Sequence, residues 1–471
     1  MVARAAWQQD RRHALPRLHR PPRPVAPARH PARPRRLRQG PRRLEPTADL
    51  RPAGVVHAHS AAEVRDAVAF ARDLGLRVAP QTTGHLATAL PPLDDALLVK
   101  TDLGREVQVD PAALRARVCA GAEWEDVVVA AAEHGLAVMH GSSPNVGVVG
   151  YLLGGGLSFY ARRHGLASDH VLAIEVVTAD GVLRRVDRDH DPDLFWALRG
   201  GGGNFGVVTA IEVGLLPYAE VFSGTTFWPA AEAGAVLQAW SAWTETVPDT
   251  VTTSARILRL PPLPEIPEFL RGGPVLAIDG VVVPECDDPQ GLLAPWRSVG
   301  DRLADTWAAG PAQQVLRMHG DPEPPMPGLS GHALLGALDE AGIDAFIGAV
   351  GEDAGSSLVV AELRQLGGAL AAPRPGGGAL AHLDAAFALF GVGVSMPPQA
   401  GARVAADLAL LQEAMAPYDT GRVYLNYHER GGSARTSFSP EAYALLADVR
   451  AAYDPAELFV ASHRIAPSRV G

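Results

Sequence analysis

The pattern of apolar and polar positions changes at residue 51. Residues 1–45 carry no apolar period. The stretch HRPPRPVAPARHPARPRRLRQGPRR is Arg- and Pro-rich and reads as a disordered basic tail or a misassigned start. From Arg51 the positions fall into order. PAGVVHAHS predicts a strand, and the apolar spacing of AAEVRDAVAFARDLG predicts an amphipathic helix ending at Gly75. LRVAPQ predicts a strand entering the loop Thr82-Thr83-Gly84-His85. ALLVKTDL, REVQVDP and LRARVCAG predict short strands. EWEDVVVAAAEHGL predicts a helix with Gly135 at its C-terminal cap. VLAIEVVTADGVLRRV predicts a hairpin turning at Ala179-Asp180-Gly181, followed by a short helix in PDLFWALRG and a strand in FGVVTAIEVGLLP.

After Pro217 the texture changes. Pro/Gly-rich segments at 261–274, 321–328 and 373–378 separate moderate helices and strands, one of them the helical AAEAGAVLQAWSAWTETV. This region, 220–415, is expected to be a second domain. In 416–471, GRVYLNYHE predicts a strand and PEAYALLADVRAAY a helix, before an extended end. On that strand, period two sets Tyr424 and Asn426 on one face and Tyr427 on the other, unless the strand ends or bulges there.

Composition narrows the function. Apolar residues make up 47% of the 471, enough for a sizeable core, and no run of eighteen apolar residues predicts a membrane-spanning helix. Cys119 and Cys286 are the only cysteines, which excludes a disulfide framework and Cys-based zinc or iron–sulfur sites. Residues 1–50 hold thirteen arginines against three acids, a net +10 that leaves −20 on the rest. An acidic body argues against nucleic acid and anionic membranes as partners. Lys100 is the only lysine, so lysine-based chemistry is not expected. The double Arg at 11–12 has no apolar stretch behind it, so the expected location is the cytoplasm.

Glycine clusters carry the candidate chemistry. Gly201-Gly202-Gly203-Asn204-Phe205-Gly206 fits G-x-G-x-x-G, but a helix precedes it and a strand follows, the reverse of a nicotinamide-dinucleotide turn. The stretch 141–156, GSSPNVGVVGYLLGGG, offers bare backbone N–H groups that can cradle a diphosphate, and it lacks the Lys-[ST] pair of a Walker loop. His85 has no second His at metal-ligand spacing, so no metal site is expected. No G-x-S-x-G or H-E-x-x-H occurs.

In order along the chain, PQTTGH, GSSPNVGVVGYLLGGGL, GLASDHVLAIEVVTADG, DLFWALRGGGGNFGVVT, YLNY and YDPAELF resemble the FAD-linked oxidases of the vanillyl-alcohol-oxidase fold, more narrowly the berberine-bridge-enzyme-like branch. The resemblance covers about residues 51–471. It implies an α+β fold: a two-subdomain, PCMH-type FAD-binding domain (46–219), a substrate domain with an antiparallel sheet covered by helices (220–415), and a C-terminal segment (416–471) returning to the FAD domain. It implies FAD as cofactor, linked covalently through His85, with Thr82, Thr83 and Gly84 along the diphosphate and Gln81 also at the cofactor. Ser142, Ser143, Asn145, Val146, Gly147, Gly150, Gly154, Gly155, Gly206, Val208 and Asn426 are expected around the cofactor. Many relatives carry a second, cysteinyl link where Ser143 stands, so one link is expected. Val146 stands where oxygen-reactive members commonly have valine. Tyr427 is the implied base and Tyr424 its alternative, and either phenol would need its pKa lowered from about 10 by positive charge or hydrogen bonds. The implied activity is oxidation of a C–H next to OH or N in a sugar, alcohol or secondary metabolite, with molecular oxygen as acceptor. The alternatives are an NADPH reductase of the same fold with noncovalent FAD, or a non-catalytic flavin-binding protein.

Overall fold

The computed structural model describes residues 48–469, so the Arg-rich stretch over 1–45 lies outside the described residues. Gly54–Ala58 (β1), Arg77–Gln81 (β2) and Ala96–Thr101 (β3) form a parallel sheet in the order β1-β3-β2. Between β1 and β2, the helix Ala61–Asp73 (α1) starts where Ser60 Oγ accepts the Glu63 N–H. It ends just before Gly75, whose φ of +68° suits a residue without Cβ. Val64, Ala67, Val68 and Ala71 give α1 one buried stripe. The free edge of β2 is closed by the far end of the chain: Val78 N–H donates to Leu458 O at 2.7 Å, and Val460 N–H donates to Val78 O at 2.8 Å.

Val107–Asp110 (β4), Arg115–Cys119 (β5), Val171–Val177 (β6), Leu183–Asp187 (β7) and Val207–Gly214 (β8) make an antiparallel sheet, ordered β4-β5-β8-β6-β7. Helices Trp124–Ala132 (α2), Val148–Leu153 (α3) and Pro192–Leu198 (α4) pack on it. The third sheet has eight strands: Glu220–Pro229 (β9), Val251–Leu258 (β10), Val275–Val282 (β11), Ala304–Asp305 (β12), Ala308–Pro311 (β13), Gly328–Leu335 (β14), Val360–Gln365 (β15) and Phe387–Val394 (β16). Its order is β12-β9-β11-β10-β15-β16-β14, with β13 also on β9.

Period two sorts this large sheet into two faces. Ala255, Ile257, Ala361, Leu363, Phe387 and Leu389 join one core with Trp240, Phe346 and Leu411. Those last three belong to the helices Ala233–Thr244 (α5), Glu340–Val350 (α6) and Pro398–Met415 (α7) that cover the sheet. Gly393 lets α7 approach: a Cβ there would stand 2.7 Å from Val404. The alternate positions Ser254, Arg256, Glu362 and Arg364 are also buried, but on the opposite face. That face looks toward the first half of the molecule.

The helix Pro440–Tyr453 (α8) follows, capped by Ser439. Beyond it Asp454 accepts the N–H groups of Leu458 and Phe459 at 2.8 and 3.0 Å and pairs with buried Arg450 at 2.9 Å. This bonding folds the YDPAELF stretch and delivers residues 458–460 to β2. The strand expected over YLNY is absent. Leu425–Tyr427 is a 3-10 turn, because Tyr427 N–H bonds locally to Tyr424 O at 3.1 Å while Tyr424 N–H bonds to His332 Nε2 at 3.1 Å. The opposed faces expected for Tyr424 and Tyr427 therefore do not exist, and the two rings meet at 5.1 Å.

Candidate active site

Between the large sheet and the two smaller ones lies a cavity of about 470 Å³. Gln81, Thr82, Thr83, Gly84, His85, Ser142, Ser143, Val146, Gly147, Gly150, Gly154, Gly206, Val208 and Asn426 line it, with Tyr424 and Tyr427. Asn145 and Gly155 do not. Asn145 accepts from Ser143 Oγ at 3.1 Å and donates to Glu323 O at 2.8 Å. Gly155 is packed beneath, where a Cβ would stand 2.7 Å from Leu380 and 3.6 Å from Tyr424.

The loop after β2 is braced from below. Lys100 on β3 donates to Gln81 Oε1 at 3.1 Å and to the Thr82 carbonyl. Thr82 Oγ1 bonds Thr101 Oγ1 at 2.6 Å. The one lysine, where no lysine chemistry is expected, therefore braces the loop from beneath; burial lowers its pKa. His85 Nδ1 lies 2.9 Å from Thr83 Oγ1. Burial pushes His85 down to about 4, against a smaller upward pull from Asn145, so its imidazole is neutral at pH 7.

On the opposite wall, Asn426 Nδ2 donates to Tyr151 O at 2.9 Å and to Tyr424 Oη at 3.1 Å. Tyr424 is fully buried. The Tyr427 ring packs on Phe390 at 5.1 Å and on His332 at 5.6 Å, and the residue lines the cavity wall. Burial raises both phenols above their ordinary value; for Tyr424 the Asn426 hydrogen bond and then Arg364 oppose this in part, and for Tyr427 Arg364 does. The lowered tyrosine pKa that a resting phenolate base requires is thus not met, because desolvation outweighs both the hydrogen bonds and the one nearby guanidinium.

Sequence reasoning missed the charged part of the wall. Glu362 and Arg364 reach the cavity from β15, joined by His319, Asp321 and Glu429. Arg364 Nε donates to Glu362 Oε1 at 2.6 Å, and the guanidinium sits 4.8 Å over the Phe159 ring. Burial raises the Glu429 carboxyl, with Ser330 pulling it back in part. In V-A-E-L-R-Q the charged residues alternate with apolar ones, the usual signature of a solvent-facing strand; only the cover from the other half of the molecule makes them interior.

The cavity suits an elongated ligand with anionic and flat parts. A Cβ on Gly150 or Gly203 would meet no protein atom within 4 Å, so bare backbone faces the space. Gln81 Nε2 and Tyr151 Oη are buried without a hydrogen-bond partner among the described residues. Hydroxyls at Thr82, Thr83 and Ser142 complete a set suited to a diphosphate and a polar ring edge, as FAD has.

Residues 52–187 match the FAD binding domain family. The fold is that of the wild-type BBE-like 1 protein of Physcomitrella patens, with a TM-score of 0.77 at 19% identity over 91% of this chain and 94% of that one. The 6-hydroxy-D-nicotine oxidase of Arthrobacter nicotinovorans superposes with a TM-score of 0.76 at 24% identity, over 89% and 93% of the two chains. In sequence, (R)-6-hydroxynicotine oxidase of Paenarthrobacter nicotinovorans is 39% identical over 165 residues, 35% of this chain and 36% of the relative. Xylooligosaccharide oxidase of Thermothelomyces thermophilus is 37% identical over 170 residues, 36% of this chain and 33% of the relative. Each aligned stretch thus spans about a third of the relative's length.

Proposed function

We propose that the protein, which carries an FAD-binding domain over 52–187, is an FAD-dependent oxidase that removes hydride from a C–H next to a hydroxyl or amine of a small molecule. The observation behind this reading is that the two glycine-rich loops, Tyr427 and a charged sheet wall share one cavity. Sugar, alcohol and secondary-metabolite substrates all fit this chemistry. Bound FAD would supply the hydride acceptor, with molecular oxygen as the final oxidant.

Thr82, Thr83, Gly84 and Gly147 would hold the diphosphate, and His85 would hold the flavin covalently. A neutral imidazole has the lone pair that such a link needs, and His85 is neutral at pH 7. Ser143 offers a hydroxyl in place of a thiol, so His85 would be the single anchor. Tyr427, once deprotonated, would take the substrate's proton, with Arg364 offsetting part of the cost of that buried phenolate. Tyr424, bonded to Asn426, would position rather than react. Val146 in the cavity wall fits oxygen as acceptor. The proposed location is the cytoplasm.

Anaerobic mixing of the oxidised flavoprotein with an alcohol or amine panel, or with NADPH alone, followed by admission of O₂, tests the reading. Reduction by substrate and reoxidation by O₂ are expected. Reduction by NADPH and no member of the panel would make the protein a reductase, and a colourless protein would remove the catalytic reading.

A further inference from the structure

The charged wall contains a gap. His319 is oriented by Asp279 on β11, whose Oδ2 lies 3.1 Å from Nδ1. Arg256 on β10 fixes the pair from behind, donating to His319 O at 2.8 Å and to Asp279. The other ring nitrogen, Nε2, points between two carboxylates. It lies 3.6 Å from Glu362 Oε2 and 3.9 Å from Asp321 Oδ1. Both distances exceed hydrogen-bond reach. The remaining oxygens are occupied: Glu362 Oε1 by Ser254 at 2.7 Å and Arg364 at 2.6 Å, and Asp321 Oδ2 by Ser142 at 2.9 Å. One nitrogen and two oxygens are thus left facing the cavity, and the His319 side chain is only 4% exposed.

We propose that this triangle of His319 Nε2, Glu362 Oε2 and Asp321 Oδ1 is a subsite for a hydroxyl group of the substrate, so that the molecule oxidised is a neutral hydroxylated compound rather than an amine. The inference rests on the oxidase reading above. A hydroxyl both accepts and donates. It takes the His319 N–H and gives its own hydrogen to one of the two carboxylates, closing that gap with bonds of ordinary length. An ammonium group has donors only: it can reach the two carboxylate oxygens, but it leaves the imidazole N–H without an acceptor and adds a positive charge beside the Arg364 guanidinium. A carboxylate would confront Glu362 and Asp321. Charge supports the same ligand. Burial and Arg256 lower the His319 pKa, but Asp321, Asp279 and Glu362 together raise it to about 9. The imidazolium then balances the carboxylate of Asp321, while Arg256 pairs with Asp279 and Arg364 with Glu362. An uncharged donor–acceptor group enters this balanced set without leaving a buried charge unpaired.

The test uses the flavin-loaded protein, oxygen-free, with benzyl alcohol and benzylamine as probes and the perturbation of the visible flavin bands as the binding signal. The alcohol should bind more tightly than the amine by about 10–100-fold, the worth of one hydrogen bond to a charged group. His319→Leu should abolish that preference. Asp321→Asn, at a partly exposed position that leaves the Arg256–Asp279 and Arg364–Glu362 pairs intact, should weaken the alcohol and covers the case in which the His319 variant does not fold. Equal or tighter binding of benzylamine by the wild type, no perturbation by benzyl alcohol up to its solubility, or an unchanged preference in either folded variant overturns the subsite. Reduction of the flavin by amines alone would overturn it while leaving the oxidase reading standing.

Discussion

Tyr427 and its surroundings decide how a proton leaves the substrate. A phenol pushed above its ordinary value near 10 is mostly protonated at neutral pH. If Tyr427 is the base, the rate of flavin reduction should climb with pH through neutrality and beyond, without a plateau below about pH 10. Tyr427→Phe should slow that step by roughly 10²–10⁴-fold while the flavin stays bound. Tyr424→Phe should cost less, because its hydroxyl is already used by Asn426. Stopped-flow reduction across pH reads both effects. A plateau near neutrality that Glu429→Gln removes would move the base to Glu429, whose carboxyl is raised by burial. At this scale the sequence shows residues that lie on glycine-marked loops, such as His85 and Gly147. It hides Lys100, His319 and Glu362, because nothing in a one-dimensional pattern says that a charged residue is covered by another part of the chain.

Elements are legible where their signals are local. The α1 terminus at Gly75, the α8 start at Ser439-Pro440 and the β6–β7 hairpin all follow from caps and turn residues. YLNY misleads because aromatic residues at period two mimic a strand. A long-range hydrogen bond from Tyr424 N–H to His332 helps turn it into a 3-10 turn, and no local signal announces His332. The glycine-rich element α3 offers a paired test. A Cβ on Gly154 would stand 1.8 Å from Asn426 Oδ1, so Gly154→Ala should lower the melting temperature of the flavin-free protein, by about 1–3 kcal/mol of overpacking. A Cβ on Gly150 meets nothing in the protein but enters the cavity. Gly150→Ala should therefore leave the flavin-free melting temperature unchanged and weaken FAD binding. Normal FAD binding by Gly150→Ala would show that the ligand does not approach this backbone.

The whole molecule buries histidines in both protonation states. His140, His164, His332 and His463 are each pushed down by burial to about 4. An unfolded chain protonates them near 6.5, so their contribution to stability is full above about 6.5 and is lost as the pH falls toward 4. His319 runs the other way. Its folded pKa of about 9 means a contribution that is full below about 6.5 and lost as the pH rises through 9. Thermal melting of the flavin-free protein should thus peak near pH 6.5–7, with the steeper fall on the acid side. His319→Gln should flatten the alkaline limb alone. A melting temperature flat from pH 5 to 9 would contradict the burial of these groups in the stated forms.

At the same scale, the covering of the large sheet by helices on one face and by the cofactor-type domain on the other is readable only through the order of its motifs. FAD held at this interface through His85 is the premise on which the oxidase reading stands. The most direct measurement is the visible absorption spectrum of acid-precipitated protein, pellet against supernatant, for the wild type and His85→Ala. Flavin bands are expected in the wild-type pellet, with one flavin on the peptide containing His85, and in the supernatant for His85→Ala. Wild-type protein with no flavin bands in either fraction would contradict the cofactor itself, and flavin wholly in the wild-type supernatant would contradict the histidine link.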